Sequence, residues 1–113
     1  MSIRRGEIYW AVLDPTRGSE QAGHRPVAII QNNIGNELAP TTIVAPITTR
    51  HYDKEYPTNV RLPKAAGILK EDSTILLSQI RTIDKSRLGK KVALLSPLYI
   101  EKMDEAIRSS LSV

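Results

Sequence analysis

The spacing of apolar and polar residues predicts that most of this chain folds into short β-strands. Across residues 7–13 apolar side chains occupy both alternating faces, which is typical of a strand covered on both sides. Further short apolar runs predict strands at residues 27–30, 41–48, 58–62, 73–77, 80–83 and 90–95. Several short strands at this close spacing indicate a small antiparallel sheet or barrel.

The pattern changes to a helical period near the C-terminus. Ser96 and Pro97 have the residue types of a helix N-cap and of a first helical position. Apolar residues then recur three or four positions apart, at Ile100, Met103, Ile107 and Leu111. This spacing predicts an amphipathic helix of about four turns that packs on the sheet. The predicted fold class is therefore mainly β with a C-terminal helix (α+β).

Three local features add detail to this prediction. Residues 32–36 are rich in turn-forming residue types and predict a turn. Pro46 lies near the end of the third strand and indicates an edge position or a bulge, because proline has no N–H for a ladder hydrogen bond. Trp10 alternates in step with Ile8 on the first strand, and we expect it to belong to the core.

Length and composition narrow the class of protein. A chain of 113 residues can bury one modest core, so we expect a single domain over residues 1–113. The lack of cysteine excludes disulfides, thiolate catalysis and cysteine-type zinc sites, and two histidines are too few to indicate a dedicated metal site. No apolar run approaches the roughly 18 residues of a membrane helix, and the N-terminus turns polar early. We therefore expect a cytoplasmic protein with no membrane partner.

The net charge of +4, with a pI near 9.6, has two interpretations. It either keeps a small domain soluble or attracts an anionic partner, which is nucleic acid or an acidic protein. The densest positive run, residues 85–91, is likewise either a solvated turn or a track for phosphates. Tyr52 and Tyr56 lie in a polar stretch and are candidates for stacking on unpaired bases.

The polar loop between the first two strands concentrates groups capable of chemistry. RNA cleavage through the 2′-hydroxyl needs a base, a cation for the charge that develops at phosphorus, and an acid for the leaving oxygen. Arg25 suits the phosphate, because a guanidinium matches its oxygens with two donors. Glu20 and His24 can act as base or acid, and Thr48 and Thr49 end the third strand. If the second and third strands pair, Arg25 and Thr48 lie close together.

Each of these residues also has an ordinary structural interpretation. An arginine at a strand start is commonly a solvated or ion-paired surface group, and threonine at a strand end is favoured by β-propensity. Glu20 either acts in catalysis, pairs with Arg25 or anchors backbone amides of the loop. The residue types alone leave these alternatives open.

Four segments, in this order and spacing, carry a more specific signal. They are RGEIYW with LDP at residues 5–10 and 13–15, GSEQAGHRP at 18–26, PIT at 46–48 and LLSQIRTIDKSRL at 76–88. By these motifs the chain resembles the MazF/PemK family of toxin endoribonucleases (mRNA interferases). The resemblance spans nearly the whole chain.

The resemblance implies a partly open SH3-like barrel of the MazF/CcdB/Kid type that assembles as a homodimer. It implies metal-independent cleavage of single-stranded RNA to 2′,3′-cyclic phosphate and 5′-hydroxyl ends, and inhibition by a cognate antitoxin with an acidic tail. The family's catalytic arginine and threonine correspond to Arg25 and Thr48, and its supporting glutamate corresponds to Glu20. The residues that we expect to contact RNA are Ser19, Gln21, His24, Thr49 and Gln79.

Two other classes of function compete with this interpretation. A non-enzymatic toxin of the CcdB type shares the fold and traps DNA gyrase through a C-terminal tryptophan, but this chain ends in Leu111, Ser112 and Val113. A plain binding module would hold RNA or an acidic peptide without cutting it. The RNA sequence that is recognised and the identity of the antitoxin are not predicted, because residues 50–70 match no sharp motif.

Overall fold

The computed structural model describes residues 2–113 and contains a seven-stranded sheet in which every strand pair is antiparallel. Its strands are β1 (Glu7–Val12), β2 (His24–Ile29), β3 (Thr41–Thr48), β4 (Asn59–Leu62), β5 (Ser73–Leu76), β6 (Arg81–Asp84) and β7 (Leu88–Leu94). They follow the order β4-β5-β3-β2-β1-β7, with β6 also beside β3. The helices are α1 (Asn33–Leu38) and α2 (Pro97–Leu111), and short 3₁₀ turns span Lys64–Ala66, Leu77–Gln79 and Lys85–Arg87. The predicted fold class is confirmed.

The two faces of the sheet bury separate apolar clusters. On β1 and β2, Tyr9 lies opposite Val27 and Ile8 lies opposite Ala28. Residues that oppose each other directly in an antiparallel pair point to the same face, so these pairs mark two faces. We call the face of Tyr9 and Val27 the front face and the face of Ile8 and Ala28 the back face. Each face carries its own set of buried side chains.

Helix α2 covers the back face near the start of β1. Met103 and Ala106 are buried against Ile8 and Ala28. Gly6 permits this close approach, because a Cβ at its position would lie 2.9 Å from Ile100 Cδ1. Ser96 occupies the N-cap position as predicted, and its carbonyl accepts from two amides of the first turn. No helix among residues 2–113 is long and apolar enough to cross a membrane.

The segment at residues 32–36 forms the start of α1 instead of a turn. The Asn32 side chain accepts a hydrogen bond from the Gly35 amide at 2.8 Å, which is an N-cap. Asparagine is favoured in turns and at N-caps for the same reason, since its short side chain reaches nearby backbone amides. The residue types therefore suit both structures, and the helix that follows decides between them.

Pro46 lies in a central strand, which differs from the predicted edge or bulge. Strand β3 pairs with β2 on one side and, on the other, with β6 at residues 41–44 and with β5 at residues 47–48. The Ile43 carbonyl faces β2, where it accepts from Ile30. Alternate residues of a strand point their backbone polar groups to opposite sides, so those of Pro46 point away from β2. The hydrogen bond that proline cannot donate is therefore missing on the side of β6 and β5. Pro46 lies in the gap between these two strands, where β6 has ended and β5 has not begun.

Candidate active site

Strand register brings Arg25 and Thr48 to neighbouring positions on the front face. Val27 lies opposite Pro46, and continuing this register by two residues aligns Arg25 with Thr48. Arg25 also lies opposite the buried Ala11 of β1. Directly opposed residues share a face of the sheet, so the guanidinium and the hydroxyl leave the sheet on the same side.

Arg25 and Thr48 keep hydrogen-bond donors free for another molecule. The Arg25 Nε atom donates to the Ala22 carbonyl at 2.8 Å, which orients the guanidinium. Among the described residues, no acceptor pairs with its two Nη groups. Thr48 Oγ1 accepts from the Arg50 amide at 3.1 Å, so its own hydroxyl proton remains available to donate. A guanidinium edge and a hydroxyl that both donate to one side suit an oxyanion such as a phosphate.

The polar loop between β1 and β2 is closed at its base by backbone geometry. The Leu13 amide donates to the Gly23 carbonyl at 2.9 Å, and the Gly23 amide donates to Asp14 Oδ1 at 3.1 Å. Gly23 has a φ of 77°, a left-handed conformation that most other residues adopt only with strain. This turn delivers the chain into β2 two residues before Arg25.

Glu20 stabilises the loop locally. Its Oε1 atom accepts from the Arg17 amide at 2.8 Å, and its own amide donates to the Arg17 carbonyl at 3.1 Å. The structure records no ion pair between Glu20 and Arg25 within residues 2–113. Of the structural alternatives from sequence, the anchor of backbone amides is therefore the one observed. Glu20 is exposed, and its second carboxylate oxygen accepts no hydrogen bond from residues 2–113.

A cleft of about 380 Å³ separates the loop from the segment after β5. Ser19, Glu20 and Gln21 line one side, and Gln79 lies among the residues of the other side. The Gln21 amide donates to Gln79 Oε1 at 2.8 Å, so one hydrogen bond joins the two walls. Pro46 of β3 also lines the cleft, so the cleft lies on the front face, which is the face of Arg25 and Thr48. Ser19, Gln21 and Gln79 thus gather around one opening.

His24 belongs to the back face, where it lies opposite Val12. Thr49 directly follows β3 and lines a separate cavity with residues of β4 and β5, so the structure does not bring it to the cleft. The His24 ring stacks on Trp10 with the centroids 4.9 Å apart and the planes tilted by 31°. Trp10 is 37% exposed, so the prediction of a core tryptophan is wrong. Helix α2 covers the back face at Ile8 but leaves the outer end of β1 open.

The loop after β3 packs its aromatic and basic side chains on one another. The Arg50 guanidinium lies 5.1 Å from the centre of the Tyr52 ring, and Tyr52 meets Tyr56 edge to face at 6.2 Å. Arg61 Nη2 donates to the Tyr52 carbonyl at 3.0 Å. Tyr56 remains 48% exposed, so this loop still offers an aromatic surface.

Comparison with known proteins places this arrangement in a family. The family model described as PemK-like, MazF-like toxin of type II toxin–antitoxin systems matches residues 4–111. The chain belongs to this family. It is 47% identical to Endoribonuclease EndoA of Bacillus subtilis over 113 residues, which is 100% of this chain and 97% of that protein. The resemblance noted from the four sequence motifs is thereby confirmed.

Solved structures show the same toxin fold. MazF from Deinococcus radiodurans superimposes with a TM-score of 0.81 at 25% identity, covering 100% of this chain and 99% of that chain. A mycobacterial endoribonuclease in complex with its cognate antitoxin gives a TM-score of 0.81 at 22% identity, covering 98% and 96%. The fold is therefore retained where most residues differ.

The basic run of this toxin, residues 85–91, is only partly free for a ligand. Lys91 pairs with the buried Glu7, and the Arg87 Nη1 atom donates to the Asp14 carbonyl at 2.5 Å. Burial by itself raises the pKa of Glu7, but hydrogen bonds from Lys91, the Arg4 amide and Tyr9 outweigh it and hold that pKa below its usual value. Lys90 is exposed between them.

The donor set around the cleft is cationic and neutral, with a single carboxylate from Glu20. No three His, Asp or Glu side chains within residues 2–113 come together as metal ligands. Arg25 and Thr48 do not line this cleft; they offer a guanidinium with Nη groups unpaired among the described residues and a hydroxyl donor on the same face, and Glu20 offers an exposed carboxylate.

Proposed function

We propose that this protein is the toxin of a type II toxin–antitoxin pair and cleaves single-stranded RNA as a sequence-specific endoribonuclease. In this proposal residues 1–113 form one toxin domain that acts in the cytoplasm as a homodimer. The single observation that carries it is the pair of Arg25 and Thr48, which share a face and keep free donors. The 47% identity to a protein named an endoribonuclease supports the same activity.

The proposed reaction is attack of a ribose 2′-hydroxyl on the adjacent phosphorus. A bond forms between O2′ and phosphorus, and the bond from phosphorus to the 5′-oxygen breaks. The products are a 2′,3′-cyclic phosphate and a 5′-hydroxyl end. The Arg25 Nη groups and the Thr48 hydroxyl donate to the non-bridging oxygens as negative charge develops on them.

Proton transfer in this proposal uses Glu20 as the base. A guanidinium keeps its charge in proteins, so Arg25 is a poor base; it donates a hydrogen bond to the leaving 5′-oxygen, which takes its proton from water. A carboxylate is already ionised at neutral pH and can accept the 2′-hydroxyl proton. Glu20 bonds the Arg17 amide through one oxygen, which leaves the other for this step.

The positive charge serves two partners in this proposal. RNA is a polyanion, and the proposed antitoxin tail is acidic, so both compete for the same cationic surface. The net charge of +4 supports this sharing, as does the complex of a related mycobacterial endoribonuclease with its cognate antitoxin. Affinity for either partner is expected to fall steeply with added salt.

A cleavage map on a long single-stranded RNA, read by primer extension with added chelator, tests this function. Discrete cuts that survive chelation support the endoribonuclease. Protection without cuts would indicate the binding module, and gyrase–DNA adducts in a parallel reaction would indicate the CcdB-type toxin. Arg17→Ala is the matched control for Arg25→Ala, because both remove an arginine of the same loop. Cuts that persist in Arg25→Ala at the normal rate would contradict the assignment.

A further inference from the structure

Trp10 and His24 form an exposed aromatic pair on the back face, and the cleavage reaction uses neither ring. Trp10 is 37% exposed although it lies in the middle of a strand that otherwise enters the core. Its neighbour on the same face, Val12, is 47% exposed. A partly open ring already stacked on a second ring, at a centroid distance of 4.9 Å, presents a flat apolar surface to solvent.

The strand on the other side of Trp10 leaves this surface uncovered. Tyr9 lies opposite Lys91 and Ala11 lies opposite Leu88, so Trp10 faces two residues of β7, Gly89 and Lys90. Two residues opposite one is a β-bulge. Gly89 has no side chain to cover the indole, and a Cβ there would lie 3.6 Å from Trp10 Cβ. Lys90 is exposed beside it and supplies a positive charge.

This surface lies next to the catalytic arginine, around the rim of the sheet. His24 directly precedes Arg25 in β2, so the two side chains leave opposite faces from adjacent backbone positions. The continued register puts Thr48 beside Arg25. An RNA strand bound at Arg25 and Thr48 therefore needs to pass only around the edge of the sheet to reach the two rings.

We propose that the Trp10–His24 pair stacks an unpaired base of the RNA that flanks the cleaved step. This inference rests on the proposed endoribonuclease function and adds a second contact region to it. Every base has a π-face, so stacking holds the strand without selecting its sequence, while the front-face cleft is free to select. Lys90 then faces a phosphate of the same flanking segment.

Charge favours RNA over the other possible occupants of this surface. The residues that border the two rings by register are Val12, Pro26, Gly89 and Lys90. They include a cation and no carboxylate. A second copy of this basic chain would bring like charge to the same place, whereas a nucleic acid strand brings both flat bases and negative charge.

The single tryptophan of the chain makes the contact directly measurable. An RNA substrate is first mapped for cleavage by the wild-type protein. It is then resynthesised with a 2′-deoxy residue at the cut step, so that it binds without being cleaved. Abasic residues are placed one at a time along each flank. Trp10 emission is measured for each strand with the wild type, and RNA affinity is measured with the wild type, Trp10→Ala and Trp10→Phe.

A base stacked on Trp10 is expected to quench its emission. At one flank position, an abasic residue should therefore restore the emission and weaken RNA binding by the wild type about tenfold. That corresponds to about 1.4 kcal/mol, within the range of one base–aromatic stack. In Trp10→Ala the same abasic residue should change affinity less than about twofold, while Trp10→Phe and the control Leu94→Ala keep most of the effect. Leu94 is an exposed apolar residue of β7 outside this surface. Thermal melts verify that each variant is folded.

An equal abasic penalty in the wild type and in folded Trp10→Ala would overturn the proposal. So would Trp10 emission that ignores RNA but changes on protein dilution, which would place the ring in a subunit contact. Emission that responds only to an acidic antitoxin peptide would reassign the surface to that partner. If the wild type cuts RNA and these couplings are absent, only the stacking proposal fails. If it cuts no RNA, the proposed function fails first.

Discussion

The front face carries a charged residue near each end, and the two residues differ in how many hydrogen-bond partners the protein itself provides. At the start of β1, Glu7 is buried and accepts from the Arg4 amide at 2.7 Å, from the Tyr9 hydroxyl at 3.1 Å and from Lys91. At the start of β2, the Arg25 side chain makes one hydrogen bond within residues 2–113, through Nε, and its Nη groups pair with no acceptor there. One end is closed by internal partners, and the other has donors left over.

This difference separates a structural charge from a functional one. A buried carboxylate with three donors contributes to stability and has little capacity left for a ligand. A cation with spare donors at a cleft contributes little to stability, but it can stabilise charge that arrives with a substrate. Substitutions at the two ends should therefore change different measurements.

The largest expected effect is on the rate of cleavage at the open end. Arg25→Ala and Thr48→Ala should each lower the rate constant about 100- to 1,000-fold, because each removes a donor to the charged transition state. The melting temperature should move little for Arg25→Ala, whose side chain is partly exposed, and should fall more for Thr48→Ala, because Thr48 is buried. Single-turnover cleavage of a mapped oligonucleotide together with a thermal melt gives both values. An unfolded Arg25→Ala protein would erase the contrast between the two ends.

Glu20→Gln should give the next largest effect, about 100-fold on the rate, because an amide cannot accept the 2′-hydroxyl proton. The amide oxygen can still accept from the Arg17 amide, so the loop conformation should persist. A folded Glu20→Gln variant that cuts at the wild-type rate would assign the base to another group.

At the closed end, Glu7→Ala should lower the free energy of unfolding by about 2–3 kcal/mol, because Lys91 and the Tyr9 hydroxyl lose their partner. Cleavage by the folded fraction should be unchanged. Urea unfolding followed by circular dichroism measures the loss. A Glu7→Ala protein of normal stability with reduced cleavage would invert the comparison.

The same carboxylate gives the stability a defined dependence on pH. The pKa of Glu7 is lower in the folded protein than in the unfolded chain. Its stabilisation is therefore complete above the unfolded pKa of about 4.3 and is lost as pH falls through the folded pKa. Glu7→Gln should show a shallower loss of stability in acid than the wild type. Parallel slopes for the two proteins would rule out this linkage.

The smallest expected effect concerns the hydrogen bond across the cleft. Gln79→Ala removes the acceptor of the Gln21 amide and should slow cleavage about fivefold, the worth of one ordinary hydrogen bond. Ser78→Ala lines the same cleft without that bond and serves as the control. Backbone amide exchange at Gln21 should rise only in Gln79→Ala. Equal exchange in both variants would show that the loop holds its position by other contacts.

Local pattern was sufficient for most of the elements. Strand β3 spans Thr41–Thr48 as the alternation predicts, and α2 follows Ser96 and Pro97. Strand β2 begins three residues earlier than predicted, at His24, because the ladder with β1 extends to the end of the polar loop. Pairing with another strand cannot be recognised from the residue types of residues 24–26 alone.

Two features that were predicted wrongly, the positions of Trp10 and Pro46, also depend on contacts with distant segments. Trp10 alternates with Ile8, but only the position of α2 determines that one is covered and the other is open. Pro46 is tolerated in a central strand because its neighbour changes from β6 to β5 at that point. Neither fact can be read from residues near Trp10 or Pro46, since both depend on segments 27 or more residues away.

The sequence by itself determined the strands, the C-terminal helix, the family and the residues able to do chemistry, because periodicity and motif spacing are local. Only the tertiary structure decided how those residues divide. It assigned Arg25 and Thr48 to the front face and His24 to the back face, because a shift of one position along a strand moves a side chain to the other face. It also decided which charges are satisfied internally, because partners such as Glu7 and Lys91 meet only when distant strands pair.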